Sequence, residues 1–263
     1  MMKVDKIIEL VRCVVMSGKI KNEIPLSAII IAPSESGKSE ILSLFADSPN
    51  VVWANDLSSK PLVEKIIPKI EGGATHIMVP DFIKILLHNK MTSYSLITTL
   101  SSLTAEGLKD IYFYGMERNY NKLIRCGLIT SITPEAFRRR EKYWGEIGFM
   151  SRLIPITYKY SEKTKNEIHE YIKSGKYEKE VEKFKIPKRI KDVAINPDFE
   201  GELILAETRL RNSLLGNPTG FRLHKQLRVL AKAIAYPKKV VQKKDVDKLK
   251  ELSEFINFNY KEI

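Results

Sequence analysis

The stretch IIIAPSESGKSEIL at residues 29–42 constrains the fold more than any other part of this chain. Three β-branched isoleucines suit a buried strand, the small polar residues after them suit a loop, and apolar residues at helical spacing follow Gly-Lys-Ser. A strand, a loop carrying Gly-Lys-Ser and then a helix is the setting of a Walker A phosphate loop. Gly37 lets the backbone curl around phosphates, and the amides after it open a helix, which favours anions. Lys38 would reach the β- and γ-phosphates, and Ser39 would set its hydroxyl on Mg²⁺. The expected binding segment is Ala32, Pro33, Ser34, Glu35, Ser36, Gly37, Lys38, Ser39 and Glu40, with ATP and Mg²⁺ as ligands. Ala32 stands where the usual pattern begins with glycine. Pro33 follows it, and a residue before proline is held extended, which suits a strand end.

The same alternation continues for about 160 residues. Strands are expected near 27–32, 50–54, 75–80, 126–131 and 150–158, with helices near 38–46, 59–70, 82–90, 94–107 and 134–143. Strands that are apolar throughout, such as SAIIIA and HIMVP, suit a parallel sheet covered on both faces. After 160 the strand signals nearly stop. A helix opens at Ser161 and closes on Gly175, and others are expected near 198–215, 220–236 and 244–257. The fold class is therefore α/β, a three-layer α/β/α core with a parallel sheet over 1–160 and a small helical lid region over 161–263. An amphipathic N-terminal helix at 3–17 packs on the core; its charges rule it out as a signal peptide or membrane span.

ATHIMVPDFIKILL offers the second half of a nucleotide site. Its strand ends at Asp81, where a Walker B aspartate would hold the magnesium, although an aspartate there also reads as a helix N-cap. Many hydrolysing enzymes of this type place next a glutamate that polarises the attacking water; here the residue is Phe82. Glu35 in the loop and Glu106 in TAEGLKD are the candidates for a displaced base, and each also reads as a solvated surface charge.

The segment RCGLITSITPEAFRRREKYWGEIGFMSRLIPITYKYS resembles the sensor-1 to arginine-finger stretch of AAA+ ATPases, particularly the MCM-like helicase clade. The resemblance implies Thr130 or Ser131 as the polar sensor and Arg152 as the arginine finger, with FRRR at 137–140 competing for that role or forming a basic surface. GFRLHKQLRVLAKAIAYPKKVVQKKDVDKLKEL resembles the AAA+ lid and implies Arg222 in the sensor-2 position, with Arg228 as the fallback. KDIYFYGMERNYNKLI is similar to the pre-sensor-1 hairpin of that clade. The family implies an ATPase in an oligomer, with a hexameric ring expected. It also implies helicase or translocase work in phage- or plasmid-type DNA replication, or a slowly hydrolysing switch that loads a replication protein partner. Departures are Ala32, Phe82 and the lack of an evident separate DNA-binding domain.

The net charge of +12 favours a polyanionic partner, DNA first, and lysines crowd 159–191 and 238–249. In the hairpin segment Tyr112, Phe113, Tyr114 and Tyr120 interleave with Lys109, Arg118 and Lys122, a pairing suited to single strands and equally to a half-buried strand. Two cysteines, Cys13 and Cys126, form neither a disulfide framework nor a zinc site, and the four histidines lack metal-ligand spacing. A cytoplasmic protein without a membrane partner is the expectation.

Overall fold

The computed structural model describes residues 3–113, 116–174, 184, 186–211 and 221–259. Tyr114, Gly175, the lysine-rich stretch 176–183 and the expected helical residues 212–215 and 220 lie outside the described residues. The chain is α/β. Strands β1 (Ser27–Ile31), β2 (Val51–Trp53) and β3 (His76–Val79) precede a hairpin of β4 (Leu108–Phe113) and β5 (Met116–Ile124); β6 (Gly127–Ile132) and β7 (Leu153–Thr157) follow. The five strands other than the hairpin form one parallel sheet in the order β2-β3-β6-β1-β7. The hairpin strands pair antiparallel with each other, as the sequence suggested.

Parallel strands need crossovers, and helices supply them on both faces. The helices are α1 (Lys3–Met16), α2 (Lys38–Ser43), α3 (Ser59–Pro61), α4 (Ile67–Glu71), α5 (Phe82–Leu86), α6 (Lys90–Leu103), α7 (Pro134–Arg138) and α8 (Glu141–Glu146), then α9 (Glu162–Lys173), α10 (Glu200–Arg211), α11 (Phe221–Ala235) and α12 (Lys243–Ser253). Alternation along β1 splits the core in two. Ala28 and Ile30 join Ile7, Leu10 and Val14 of α1, Leu227 and Leu230 of α11 and Leu249 of α12. Ile29 and Ile31 face Leu62, Ile67, Phe82, Leu96 and Trp144 on the other side. Helices α1, α10, α11 and α12 are therefore buried together against one sheet face. Residues 255–257 then cover the outer edge of β7, where the Thr157 amide donates to the Phe255 carbonyl at 2.8 Å. Among the described residues, no helix is long and apolar enough to cross a membrane.

Several boundaries differ from expectation for local reasons. The helix expected over 59–70 runs as α3, a wider π turn at Leu62–Ile66 and α4. Pro68 has no amide to give the carbonyl four residues back, and its ring crowds that group, so the ladder widens there. The helix expected over 82–90 stops at Leu86 because Asn89 caps α6, its side chain accepting from the Thr92 amide at 2.9 Å. Helix 134–143 breaks into α7 and α8, and strand 150–158 starts only at Leu153 after a single 3₁₀ turn. Ser161 caps α9 as expected, accepting from the Thr164 amide at 3.2 Å.

Candidate phosphate-loop site

β1 delivers the chain to the carboxyl edge of the sheet between two hydrogen-bonded neighbours. Ala32 extends that pairing, its amide donating to the Ile132 carbonyl at 3.3 Å, and its methyl group is buried in the core. The position thus behaves as the last residue of a strand, and the loop turns only after Pro33. Ser36 Oγ donates back to the Pro33 carbonyl at 2.7 Å. Glu35 and Gly37 both adopt the left-handed region, with φ of 59° and 79°. Gly37 does so freely, whereas Glu35 holds a conformation that costs a non-glycine residue about 1 kcal/mol or more. From Gly37 the chain enters α2, with the Ile41 amide on the Gly37 carbonyl at 2.9 Å.

Lys38 folds back over this loop. Its Nζ donates to the carbonyls of Ala32 at 2.8 Å and Pro33 at 2.5 Å. Partial burial lowers its pKa, and the carboxylates of Asp81, Glu40 and Glu135 act against that. These three acids and the lysine therefore share one electrostatic neighbourhood at the carboxyl ends of β1, β3 and β6. Ser39 and Glu40 are exposed at the start of α2, as are Pro33 and Ser34 along the loop.

Asp81 does what its N-cap reading required: Oδ1 accepts from the Ile83 amide at 3.1 Å. Phe82 points the other way, fully buried against Trp144 at 5.6 Å and Phe149 at 5.9 Å between ring centroids. Residue 82 cannot present a carboxylate to solvent without leaving the core. Thr130 Oγ1 donates to the Val79 carbonyl at 2.7 Å and Ser131 Oγ to the Pro80 carbonyl at 2.5 Å, both buried. Their hydroxyls bind the end of β6 to the end of β3 and so fix the approach to Asp81.

Glu35 lines a cavity of about 440 Å³ with Ser34, Tyr158, Tyr160 and Ile168, on the β7 side of the loop and away from Asp81. Glu135, exposed in the first turn of α7, has no local signal in the sequence that ties it to this loop. It follows Pro134, so it looks like an ordinary helix-start acid, and only the adjacency of β6 to β1 brings it toward Lys38. Tyr158 and Tyr160 are likewise indistinguishable in sequence from residues at a strand end.

Three expected site residues lie elsewhere within the chain. Leu153 pairs with Ser27, the first residue of β1, so Arg152 stands at the amino edge of the sheet. The candidate loop begins at Ala32, five residues beyond Ser27, about 16 Å away at the usual strand rise. Arg152 Nη2 meets Glu106 Oε1 at 2.7 Å and Nη1 donates to the Gly148 carbonyl at 2.5 Å. Arg222 Nη1 donates to Ser151 Oγ at 2.6 Å, and burial and the neighbouring Arg152 both lower its pKa. Glu106 is thus the ion-pair partner of Arg152 and does not meet Lys38 or Asp81 in the same chain. Arg228 pairs with Glu200. Arg125, Arg152, Arg222 and Lys225 together line a cationic cavity of about 590 Å³ at this edge. Of the FRRR segment, Phe137 is core and Arg138, Arg139 and Arg140 are exposed.

On the hairpin, Ile111 and Ile124 turn inward while Tyr112, Lys109, Arg118 and Lys122 are exposed and Tyr120 is half-buried. Among the described residues, no group of three or more His, Cys, Asp or Glu side chains gathers to hold a metal. Cys13 and Cys126 are free and buried, and burial pushes both thiols well above their ordinary range. No protein-family model and no curated protein matches the chain.

Proposed function

We propose that this chain is a P-loop ATPase of AAA+ type that binds ATP with Mg²⁺ and couples its turnover to work on DNA. The observation that carries the reading is that β1, β6 and β3 lie side by side and parallel, so that Lys38, Glu135 and Asp81 each follow a strand end at one edge of the sheet, beside a loop with a left-handed glycine. A triphosphate would replace the Ala32 and Pro33 carbonyls as the partner of Lys38. A magnesium ion would take Ser39 and, directly or through water, Asp81 from the protein, and phosphate oxygens and water for the rest, as Mg²⁺ prefers. With residue 82 buried in the core, Glu135 is the acid we assign to orienting the attacking water.

Arg152 and Arg222 are too far from their own loop to touch that nucleotide, so in this reading they act on the site of a neighbouring copy in a ring, a hexamer being the expected form. The exposed Tyr112 and cations of the hairpin, with the overall charge of +12, support nucleic acid as the partner, with helicase or translocase work in phage- or plasmid-type replication as the concrete form. The buried Phe82 favours a second reading, a slowly turning switch that loads a protein partner. Phosphate release by the assembled oligomer, with and without single-stranded and duplex DNA, separates the two. Stimulation by DNA supports the motor; no hydrolysis with any nucleic acid removes it.

A further inference from the structure

Two phenols converge on one backbone atom of the phosphate loop. Tyr158 Oη donates to the Ser36 carbonyl at 2.9 Å and Tyr160 Oη donates to the same oxygen at 2.7 Å. Their rings stand 5.4 Å apart, with Tyr158 buried and Tyr160 half-buried. Both residues lie just beyond β7, the strand hydrogen-bonded to β1, so the sheet itself brings them alongside the loop. A carbonyl oxygen has two lone pairs, and here both have a donor. Burial raises both phenol pKa values, so both remain O–H donors through the neutral range.

The consequence lies on the other side of that peptide. In a trans peptide unit the C=O and the next N–H point in opposite directions. Turning the Ser36 carbonyl outward to the tyrosines therefore turns the Gly37 amide inward, over the concave side of the loop. Gly37 has a left-handed φ of 79°, so the same residue also allows the chain to curl there. Without the two hydroxyls, the Ser36–Gly37 peptide is free to flip, with a glycine on one side to absorb the change.

We propose that Tyr158 and Tyr160 are positioning residues that set the Gly37 amide for a phosphate oxygen by jointly holding the Ser36 carbonyl. This rests on the nucleotide-site reading above and adds to it the device that prearranges the loop. Either hydroxyl alone can hold the oxygen, so the two act redundantly. Removing one costs little, and removing both releases the peptide.

The test uses Tyr158→Phe, Tyr160→Phe and the double variant, which keep both rings, with inorganic tripolyphosphate and ATP as probes, each with Mg²⁺. Each single variant is expected to weaken tripolyphosphate binding about 2-fold or less, and the double variant more than about 20-fold, well beyond the roughly 4-fold product of the single losses. ATP is expected to lose affinity in parallel. Loss confined to ATP, with tripolyphosphate unchanged, would mean that the tyrosines serve the nucleoside in the adjoining cavity, and overturns the proposal. So does a double variant that binds tripolyphosphate as the wild type does. In the ¹⁵N-labelled wild-type chain, the Gly37 amide proton is expected to move downfield on adding tripolyphosphate. An unmoved Gly37 amide overturns the proposal even if the double variant does not fold. Failure of the wild type to bind either probe removes the nucleotide reading itself, a result distinct from all of these.

Discussion

Replacing Phe82 by glutamate restores, on paper, the acid that follows the Walker B aspartate in many hydrolysing enzymes. The structure predicts collapse of the fold. Phe82 is fully enclosed by Trp144, Phe149 and the second hydrophobic cluster. Losing its buried side chain forfeits up to about 3 kcal/mol of transfer energy. The two ring contacts are worth about 1 kcal/mol each. A glutamate confined there would be held neutral, and keeping a carboxyl of ordinary pKa protonated at neutral pH costs about 3.7 kcal/mol. Together these reach up to about 9 kcal/mol, comparable with the whole stability of an ordinary domain at about 5–15 kcal/mol. Guanidinium unfolding followed by tryptophan fluorescence and circular dichroism reads the outcome, with Phe82→Leu as the control that loses only about 1–2 kcal/mol. A Phe82→Glu chain within about 2 kcal/mol of the wild type, and with faster ATP turnover, would refute the reasoning that residue 82 belongs to the core and not to the site.

Three further outcomes follow from the same structure. His76 is buried, its Nε2 donating to the Leu26 carbonyl at 3.1 Å, and burial depresses its pKa from 6.5 to about 4. The unfolded chain therefore takes up the proton first, so stability is intact above about pH 6.5 and falls by about 3 kcal/mol toward pH 4, at about 1.4 kcal/mol per unit; His76→Gln should flatten that slope in pH-dependent denaturation. Glu135→Gln is expected to leave ATP affinity within about 3-fold and lower turnover by about 10²-fold or more, measured as phosphate release; unchanged turnover removes Glu135 as the group that orients water. Arg152→Ala is expected to leave ATP binding nearly intact and to lower hydrolysis by about 10³-fold in the oligomer, and undiminished turnover there would sink its role across the interface.

The strand, loop and helix around Gly37 were legible because each is local: three isoleucines for β1, a proline after Ala32, a glycine where the backbone turns left-handed. Asp81 was legible for the same reason, as an acid between a buried strand and a helix. What escaped was everything made by distant segments meeting. Glu106 and Arg152 are paired at 2.7 Å although 46 residues separate them, so in sequence Glu106 reads equally as a base or as a solvated charge. Glu135 gains its place from β6 lying beside β1, and the tyrosines gain theirs from β7 lying on the other side. Sheet order is a tertiary fact, and no local pattern encodes which strand will flank which. The π turn before α4 was in principle readable from Pro68, but a proline there is compatible with either a break or a widened turn.

Titration of ATP with Mg²⁺ into the wild-type chain and into Lys38→Ala, followed calorimetrically, tests the central claim most directly. The account predicts saturable one-to-one binding by the wild type, and its loss in Lys38→Ala at an unchanged melting temperature. No binding by the wild type, or equal binding by both, contradicts it.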